Sequence, residues 1–554
     1  SPWGVLHEGD DGYWYPAGLR ARVRVARGAG AWVATTEEGE VFVFGADAAV
    51  EAPGLGVHTW YLTSVEAPNG ERTTLSYEDG IGRRYLAEVR WGGRGAERQY
   101  RMRFTREPVP IPITSYRFGA PQVLDERVTG VEVAVRSPDA ARPDDPARDG
   151  FALRWRYALG YEDSPSGAAF HLSTLQRTFA SGASEPVQRF AYGRPEAVLA
   201  ESSLEPLPAL DSYLAYAGQA GIQPDEVAFV DLELDGRLEL EHRDELLLFR
   251  QEGDEWISEP LPPRDGTEDP RCRPAAGAPS APRTLLPLHV GRTEPSVVVT
   301  RRRGASTEIA VCDRAGHLEA ERRVSGGFEL GANTRMTDLN RDGAPDIVRV
   351  ERGRVQVLAN ESGEAGVAFR PLPRQTLRPA FEPTATWAHD VNGDGLVDLI
   401  GRSSGALYVW YGLGGHVFAE EAERLPLRLY GGREITDLRW FSLTFTDTNQ
   451  DGLVDIVLGY GRWLYLFTNR GDHFAQRAVP AFGEITTNVG LPVAVDLEGR
   501  GEEQIVVIEG LRAEAITLSR PETGLLVRAD DGKGGVVELA WERAPATPGI
   551  VRRP

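Results

Sequence analysis

The sequence is poor in lysine, cysteine and methionine, and it has no long apolar run. Lys533 is the single lysine among 61 basic residues, and only two cysteines and two methionines occur in 554 residues. Two cysteines are too few for a disulfide scaffold. A single bridge between Cys272 and Cys312 is the alternative, but we expect two unpaired thiols. No segment approaches the roughly 18 apolar residues of a membrane-spanning helix, so we expect no direct membrane insertion.

The chain also lacks an excess of positive charge. Its formal net charge is −21. Nucleic acids and anionic membranes attract proteins with surplus cations, so the charge argues against both as partners and favours divalent cations. The nine histidines show no catalytic or metal-binding spacing. Residues 401–405 (GRSSG) have the letters of a nucleophile elbow but join two predicted strands, where an ordinary hairpin is expected. We therefore expect no enzyme activity.

Short alternating segments broken by glycine, asparagine and proline are abundant in residues 1–200. Pro68, Asn69 and Gly70 lie between two such segments and predict a hairpin turn. No stretch of this region shows a helical period. The pattern predicts an antiparallel β region that forms a shell or is sandwich-like.

Three nine-residue loops carry the strongest signal: loop 1 (338–346, DLNRDGAPD), loop 2 (390–398, DVNGDGLVD) and loop 3 (447–455, DTNQDGLVD). They begin 52 and 57 residues apart. Each has Asp or Asn at positions 1, 3, 5 and 9 and glycine at position 6, which suits a hard cation such as Ca²⁺ and a sharp turn. With the carbonyl of position 7, the predicted calcium ligands are Asp338, Asn340, Asp342, Ala344, Asp346, Asp390, Asn392, Asp394, Leu396, Asp398, Asp447, Asn449, Asp451, Leu453 and Asp455.

The alternative interpretation of these loops is a set of Asx turns that only tighten hairpins. A turn needs one Asp or Asn, so four spaced oxygens in three loops favour structural Ca²⁺. Residues 231–239 and 496–504 are weaker copies. The first has Glu at positions 3 and 9, and the second has Arg500 at position 5, where a cation would be repelled.

The recurrence of about 50 residues, with an apolar strand and a hairpin after most loops, predicts a β-propeller. Roughly six blades fit, and seven are the alternative. The predicted fold class is all-β. The expected domains are a β-rich region at 1–205, the propeller at 206–520 and a strand segment at 521–554.

Several phrases of the N-terminal region resemble the virulence-plasmid protein B (SpvB) family and the B component of Tc insecticidal toxin complexes. They are 59–65 (TWYLTSV), 68–70 (PNG), 85–91 (YLAEVRW), 101–104 (RMRF), 157–161 (YALGY), 173–175 (STL) and 190–192 (FAY). The Asp loops resemble FG-GAP (VCBS) repeats, which follow this region in that family and also build integrin α propellers. Residues 525–541 look like the stretch that leads into Rhs-type strands.

The resemblance implies a non-enzymatic structural and docking role in a secreted bacterial toxin-delivery shell. In such complexes the B component joins a C component, an Rhs-type shell protein, into a hollow β-shell. Its propeller docks on the A-component channel and gates it. We expect those two partners, Ca²⁺ as a structural cofactor, and a chain that is a piece of a longer protein. The alternatives are a secreted or surface adhesion protein with an integrin-α-like calcium-binding propeller, and an enzyme hidden in residues 1–200.

Overall fold

The computed structural model describes most of the N-terminal region and of the three loops. The residues described are 6–9, 11–16, 23–28, 30–52, 56–93, 99–116, 120–141, 149–163, 170–193, 205–206, 227–230, 239–242, 247–252, 255–260, 269–272, 284–286, 296–313, 316–325, 333–341, 344–362, 367–429, 432–439, 442–449, 451–460, 463–471, 473–476, 492–495, 504–509, 512–517 and 524–541. Across these ranges the regular structure is β, apart from a 3-10 turn at Pro270–Cys272. The all-β prediction is confirmed. None of this part of the chain forms a helix long and apolar enough to span a membrane.

The chain divides into two compact units. Unit 1 comprises Ser1–Ala191 and Leu526–Leu539, and unit 2 comprises Tyr192–Leu525 and Ala540–Pro554. A segment that the sequence places after the propeller therefore belongs with the N-terminal region.

Unit 1 contains one sheet of 15 strands, ordered β1 to β13 and then β42 and β43. Neighbours from β1 to β13 pair antiparallel, with several β-bulges in the long strands. The strands are β1 (Leu6–Glu8), β2 (Trp14–Pro16), β3 (Val23–Arg27), β4 (Ala31–Thr36), β5 (Val41–Ala52), β6 (Gly56–Glu66), β7 (Arg72–Asp79), β8 (Arg84–Trp91), β9 (Tyr100–Ser115), β10 (Gln122–Ala141), β11 (Asp149–Asp163), β12 (Phe170–Phe179), β13 (Gln188–Tyr192), β42 (Leu526–Asp530) and β43 (Val536–Glu538).

The turn between β6 and β7 shows how local sequence sets the hairpins of unit 1. Gly70 has φ +81°, a conformation that glycine adopts without steric cost. Its N–H donates to the carbonyl of Ala67 at 2.9 Å, and the N–H of Glu71 donates to Asn69 Oδ1 at 2.9 Å. The predicted hairpin turn at residues 68–70 is confirmed.

Unit 2 contains six described sheets of four or five strands, here numbered sheets 1 to 6, and one two-stranded hairpin. Sheet 1 comprises β15 (Val227–Val230), β16 (Glu239–His242), β17 (Leu247–Glu252) and β18 (Glu255–Pro260). Sheet 2 comprises β19 (Thr284–Leu286), β20 (Ser296–Arg303), β21 (Ser306–Cys312) and β22 (Leu318–Ser325). Sheet 3 comprises β23 (Thr334–Thr337), β24 (Asp346–Glu351), β25 (Arg354–Asn360), β26 (Phe369–Pro371) and β27 (Gln375–Thr376). Sheet 4 comprises β28 (Thr386–His389), β29 (Asp398–Ser403), β30 (Ala406–Trp410) and β33 (Glu423–Leu425); the separate hairpin comprises β31 (Gly412–Gly414) and β32 (Val417–Phe418).

Sheets 5 and 6 complete unit 2. Sheet 5 comprises β34 (Leu427–Arg428), β35 (Ser442–Thr446), β36 (Asp455–Tyr460), β37 (Trp463–Asn469) and β38 (Phe474–Gln476). Sheet 6 joins β39 (Pro492–Val495), β40 (Gln504–Glu509) and β41 (Arg512–Thr517) to β14 (Glu205–Pro206), which comes from the opposite end of the unit. Pairing of the first strand with the last sheet is how propellers avoid an open edge. The number of blades stays a prediction.

Consecutive sheets of unit 2 share apolar cores, and successive residues of one strand serve different cores. In β24, Ile347 packs with residues of sheet 2, and Val348 packs with residues of sheet 4. In β29, Leu399 faces the core shared with sheet 3, and Ile400 faces the core shared with sheet 5. All four side chains are fully buried or nearly so. Burial on both faces explains why each of these strands has two adjacent apolar residues instead of strict alternation.

The two cysteines form a disulfide, so the prediction of unpaired thiols is wrong. Cys272 ends the 3-10 turn and Cys312 ends β21, with their Cα atoms 6.0 Å apart. Arg301 on β20 donates to the carbonyl of Pro270 and holds the same turn. The separation of 40 residues in sequence does not reveal that this turn folds back onto sheet 2.

Candidate metal centre

The three Asp loops occupy equivalent places in sheets 3, 4 and 5. Each connects two neighbouring antiparallel strands of its sheet: β23 to β24, β28 to β29, and β35 to β36. Position 9 of each loop is the first residue of the second strand, at Asp346, Asp398 and Asp455. The repeat in sequence is therefore a repeat in structure.

Loop 2 is a tight turn held by its own carboxylates. Asp390 accepts hydrogen bonds from the backbone N–H groups of Asp394 at 3.1 Å and Gly395 at 2.5 Å. Asn392 Oδ1 accepts from the Asp394 N–H at 3.2 Å, and Asp394 Oδ1 accepts from the Leu396 N–H at 2.7 Å. Gly395 has φ +81°, which explains glycine at position 6.

Loop 3 repeats these bonds position by position. Asp447 accepts from the N–H groups of Asp451 at 3.1 Å and Gly452 at 2.8 Å. Asn449 Oδ1 accepts from the Asp451 N–H at 3.0 Å, and Asp451 Oδ1 accepts from the Leu453 N–H at 3.0 Å. In both loops the side chains of positions 1 and 3 thus converge on the N–H of position 5, and the side chain of position 5 bonds to the N–H of position 7.

In loop 1 the structure describes Asp338, Asn340, Ala344 and Asp346 among the predicted ligands. Ala344 and Asp346 are buried, at 2% and 0% exposed. Asp342 lies outside the described residues, as do most of the weaker copies at 231–239 and 496–504.

The aspartate at position 9 connects strands as well as ending its loop. All three of these residues are fully buried. One carboxylate oxygen accepts from the backbone N–H of position 2, at 3.1 Å for Asp346, 2.9 Å for Asp398 and 3.1 Å for Asp455. The other accepts from the N–H of the residue 14 positions later, at 2.8, 2.7 and 2.7 Å in the same order; those donors are Asn360, Gly412 and Asn469.

Those three donors were missed as part of the site by the sequence analysis. Asn360 and Asn469 add side-chain bonds: Asn360 Nδ2 donates to the Pro345 carbonyl at 3.1 Å, and Asn469 Nδ2 donates to the Val391 carbonyl at 2.7 Å. The second bond joins loop 2 to the sheet of loop 3. A constant offset of 14 residues from position 9 was the signal that could have found them.

Burial and mutual repulsion raise the pKa of the position-1 carboxylates of loops 2 and 3. Burial is the main cause that brings the pKa of Asp390 and of Asp447 to about 6. The charge of Asp394 raises the pKa of Asp390 further, and Asp451 does the same for Asp447, while backbone hydrogen bonds act in the opposite direction. Ionising these loops without a cation is therefore costly.

The pKa values of the position-9 carboxylates of loops 2 and 3 are raised more strongly. Burial raises the pKa of Asp455 to about 8, against the hydrogen bonds from Thr448 and Asn469 that lower it. Burial also raises the pKa of Asp398 well above its ordinary value, with smaller contributions from the charges of Asp390 and Asp394.

The donor chemistry of loops 2 and 3 fits a hard divalent cation. Each offers carboxylate and amide oxygens around one turn, and a carboxylate oxygen that accepts one hydrogen bond retains a further lone pair. The carbonyl-bearing residues at position 7, Leu396 and Leu453, are each 5% exposed. Asn392 Nδ2 is buried and makes no hydrogen bond within the described part of the chain. Within that same part, no three His, Cys, Asp or Glu side chains are already arranged as a metal site.

Residues 401–405 form the hairpin between β29 and β30, as expected. Ser404 and Gly405 have φ +50° and +83°, and Ser403 Oγ donates to the Ala380 carbonyl at 2.6 Å. The turn runs from strand to strand and not from strand to helix, as a nucleophile elbow requires.

Comparison with known sequences identifies the repeats. Residues 338–401 and 390–458 each match the FG-GAP-like repeat family. No curated protein matches the sequence significantly.

Comparison with solved structures identifies the fold over nearly the whole chain. The Photorhabdus luminescens Tc holotoxin pore matches 94% of this chain and 26% of its own, with a TM-score of 0.68 at 16% identity. The TcdB2-TccC3 complex without its hypervariable C-terminal region matches 95% of this chain and 28% of its own, with a TM-score of 0.61 at 15% identity. The N-terminal domain of effector protein SpvB from Salmonella typhimurium strain LT2 matches 30% of this chain and 68% of its own, with a TM-score of only 0.25 at 15% identity. The chain thus has FG-GAP-like repeats and the fold of about a quarter of these Tc toxin chains.

Proposed function

We propose that the chain is a structural and docking component of a bacterial toxin-delivery assembly, in the manner of a Tc B component. The observation that supports this most is the likeness to the Tc holotoxin pore over 94% of the chain. A sheet of 15 strands and a set of small packed sheets suit a rigid shell and a docking platform. The proposal includes no enzymatic step.

The expected partners follow from the same likeness. A C-type, Rhs-like shell protein extends the shell, and an A-type channel receives unit 2, which acts as docking platform and gate. The proposed location is extracellular, and a disulfide between Cys272 and Cys312 is compatible with an oxidising compartment.

A pull-down with the full chain tests this proposal. A-type and C-type components from the same genome serve as prey, with and without a calcium chelator. We expect retention of both components and weaker retention of the channel in chelator. Retention of neither component, together with binding to host cell surfaces, would contradict the proposal and support the adhesion alternative.

The proposal assigns Ca²⁺ to loops 2 and 3 as a structural cofactor. Asp390, Asp394, Asp447 and Asp451 bring hard oxygen donors and unfavourable negative charge into two half-buried turns, and a divalent cation would relieve that repulsion. With extracellular-type dissociation constants of about 10⁻⁴–10⁻³ M, each site would add about 1–2 kcal/mol in a few millimolar Ca²⁺.

Replacing Asp394→Ala together with Asp451→Ala tests the calcium assignment. We expect lower thermal stability in millimolar Ca²⁺ and loss of the calcium-dependent part of the melting shift, measured by scanning calorimetry with and without chelator. Glu420→Ala with Glu421→Ala is the matched control, because it also removes two carboxylates of unit 2 but from exposed positions near Arg378. A double loop variant that still gains as much from Ca²⁺ as the parent would refute the assignment.

A further inference from the structure

Loop 1 differs from the other two in having a histidine against its position-9 carboxylate. His416 lies in the turn between β31 and β32, in the segment that follows β30 of sheet 4. Its φ is +70°, which is uncommon for a residue other than glycine. Residues held in such conformations are often fixed by surrounding contacts at sites where the side chain is needed.

The imidazole of His416 is buried against Asp346. Its Nε2 lies 3.2 Å from Asp346 Oδ2, and the two side chains are 10% and 0% exposed. Nε2 makes no hydrogen bond with any described residue, so the carboxylate is the polar group that it faces. An unpaired buried nitrogen is costly, and proximity to a buried carboxylate offsets that cost.

The turn that carries His416 is fastened to sheet 3 by a second residue. Gln375 on β27 donates from Nε2 to the His416 carbonyl at 2.7 Å. Its Oε1 accepts from the N–H of Phe418 at 2.9 Å. Two hydrogen bonds to one glutamine of sheet 3 therefore hold the segment 416–418 that carries the imidazole.

Loops 2 and 3 have a different arrangement at the same place. The hydroxyl of Thr448 donates to Asp455 Oδ2. The oxygen of this hydroxyl keeps lone pairs with which it could coordinate a cation. Asp398 accepts from the N–H groups of Val391 and Gly412. Calcium takes oxygen ligands, whereas imidazole suits softer metals, and the His416 ring occupies the space 3.2 Å from Asp346 Oδ2 where an oxygen-bound cation would lie.

We propose that loop 1 binds no calcium, because the imidazole of His416, from the β31–β32 hairpin, packs against its position-9 carboxylate. Loop 1 is then held by protein contacts alone. The calcium dependence of unit 2 then comes from loops 2 and 3, an inference that rests on the calcium sites proposed for those two loops. This contact, here called the His416 clamp, links sheet 3 to the β31–β32 hairpin at the place where the other loops would hold a metal.

Calorimetric titration of the full chain with Ca²⁺ tests the stoichiometry. We expect two calcium ions per chain. Asp394→Asn and Asp451→Asn should each remove one, whereas Asp338→Asn should remove none. A stoichiometry of three that falls to two in Asp338→Asn would overturn the inference while leaving the calcium proposal intact. No binding by the parent would instead overturn the calcium proposal.

Thermal melting in chelator tests the clamp without metal. His416→Ala should lower the melting temperature of unit 2, because it removes the buried imidazole that packs against Asp346. His317→Ala is the matched control, since His317 pairs with Asp313 at 2.9 Å in an exposed turn remote from the Asp loops in sequence. Equal melting temperatures for the two variants would overturn the clamp.

Discussion

At the scale of single residues, the position-9 aspartates have the largest structural role in the Asp loops. Asp346, Asp398 and Asp455 are fully buried, and each joins its own loop to the N–H of a residue 14 positions later. Their removal would leave two buried backbone donors unpaired in each loop. This role is independent of any metal.

Asp398→Ala should therefore destabilise unit 2 even in chelator. The N–H groups of Val391 and Gly412 lose their acceptor, and each unpaired donor lowers the free energy of unfolding by about 1–3 kcal/mol. Asp394→Ala, in the same loop, should cost about 1 kcal/mol or less without metal, because its bond to the Leu396 N–H lies in a partly exposed turn. Urea denaturation in chelator measures both variants, and equal losses would contradict the assigned role.

Metal-free protein should lose stability as the pH rises from about 4 to about 7. Asp390 and Asp447 have pKa values of about 6 in the folded state, above the ordinary 3.8, so the folded state binds more protons than the unfolded state in this window. A shift of about two units corresponds to roughly 3 kcal/mol at most for each group. Calcium favours the ionised carboxylates and should flatten the profile.

Denaturation curves across that pH range, with chelator, measure this effect. The variant Asp390→Asn with Asp447→Asn lacks these two carboxylates but keeps the raised pKa values of Asp398 and Asp455, so its fall should be smaller without being abolished. Parallel profiles for the parent and this variant would show that the two carboxylates do not carry the pH dependence.

The loop turns could be predicted from sequence because their contacts are local. Asp390 bonds to residues four and five positions later, and the spacing of Asp, Asn and Gly encodes that geometry. The contact of His416 with Asp346 could not be predicted, because it depends on how sheet 4 packs beside sheet 3. The bond from Asn469 to Val391 is hidden for the same reason.

At the scale of elements, the disulfide is the contact that the sequence analysis got wrong. It fixes the turn at Pro270–Cys272 to the end of β21, and both sulfur-bearing residues are buried, at 3% and 0% exposed. Strand patterns were easier to predict, since alternation in unit 1 and adjacent apolar residues in unit 2 follow from burial of one or both faces. A cysteine pair far apart in sequence has no such period.

Replacing Cys272→Ser with Cys312→Ser should lower the free energy of unfolding of unit 2 by about 2–4 kcal/mol, because the bridge closes a segment of 40 residues. Thermal melting with and without reductant measures this effect. The parent should show a reductant-dependent shift and the double variant none. A reductant-dependent shift that persists in the double variant would show that the reductant acts on something other than this disulfide.

At the scale of the whole molecule, the two units should respond differently to calcium. The proposed sites lie in unit 2, and unit 1 has a separate sheet and core. Hydrogen exchange measured by mass spectrometry should show faster exchange in β29, β30, β36 and β37 when calcium is removed. The strands β9 to β11 of unit 1 should be unchanged and serve as the internal control. Faster exchange throughout both units would contradict local metal sites.

Strands β13 and β42 are neighbours in the sheet of unit 1, although nearly all of unit 2 lies between them in sequence. Where the chain passes from one unit to the other, the Gly193 N–H donates to the Leu525 carbonyl at 2.9 Å, and the Gly524 N–H donates to the Gly193 carbonyl at 3.0 Å. The two ends of the 192–525 segment of unit 2 therefore lie next to each other. A short linker that joins Gly193 to Gly524 should let the sheet of unit 1 fold without the intervening residues. A foreign domain with adjacent termini could be inserted in their place.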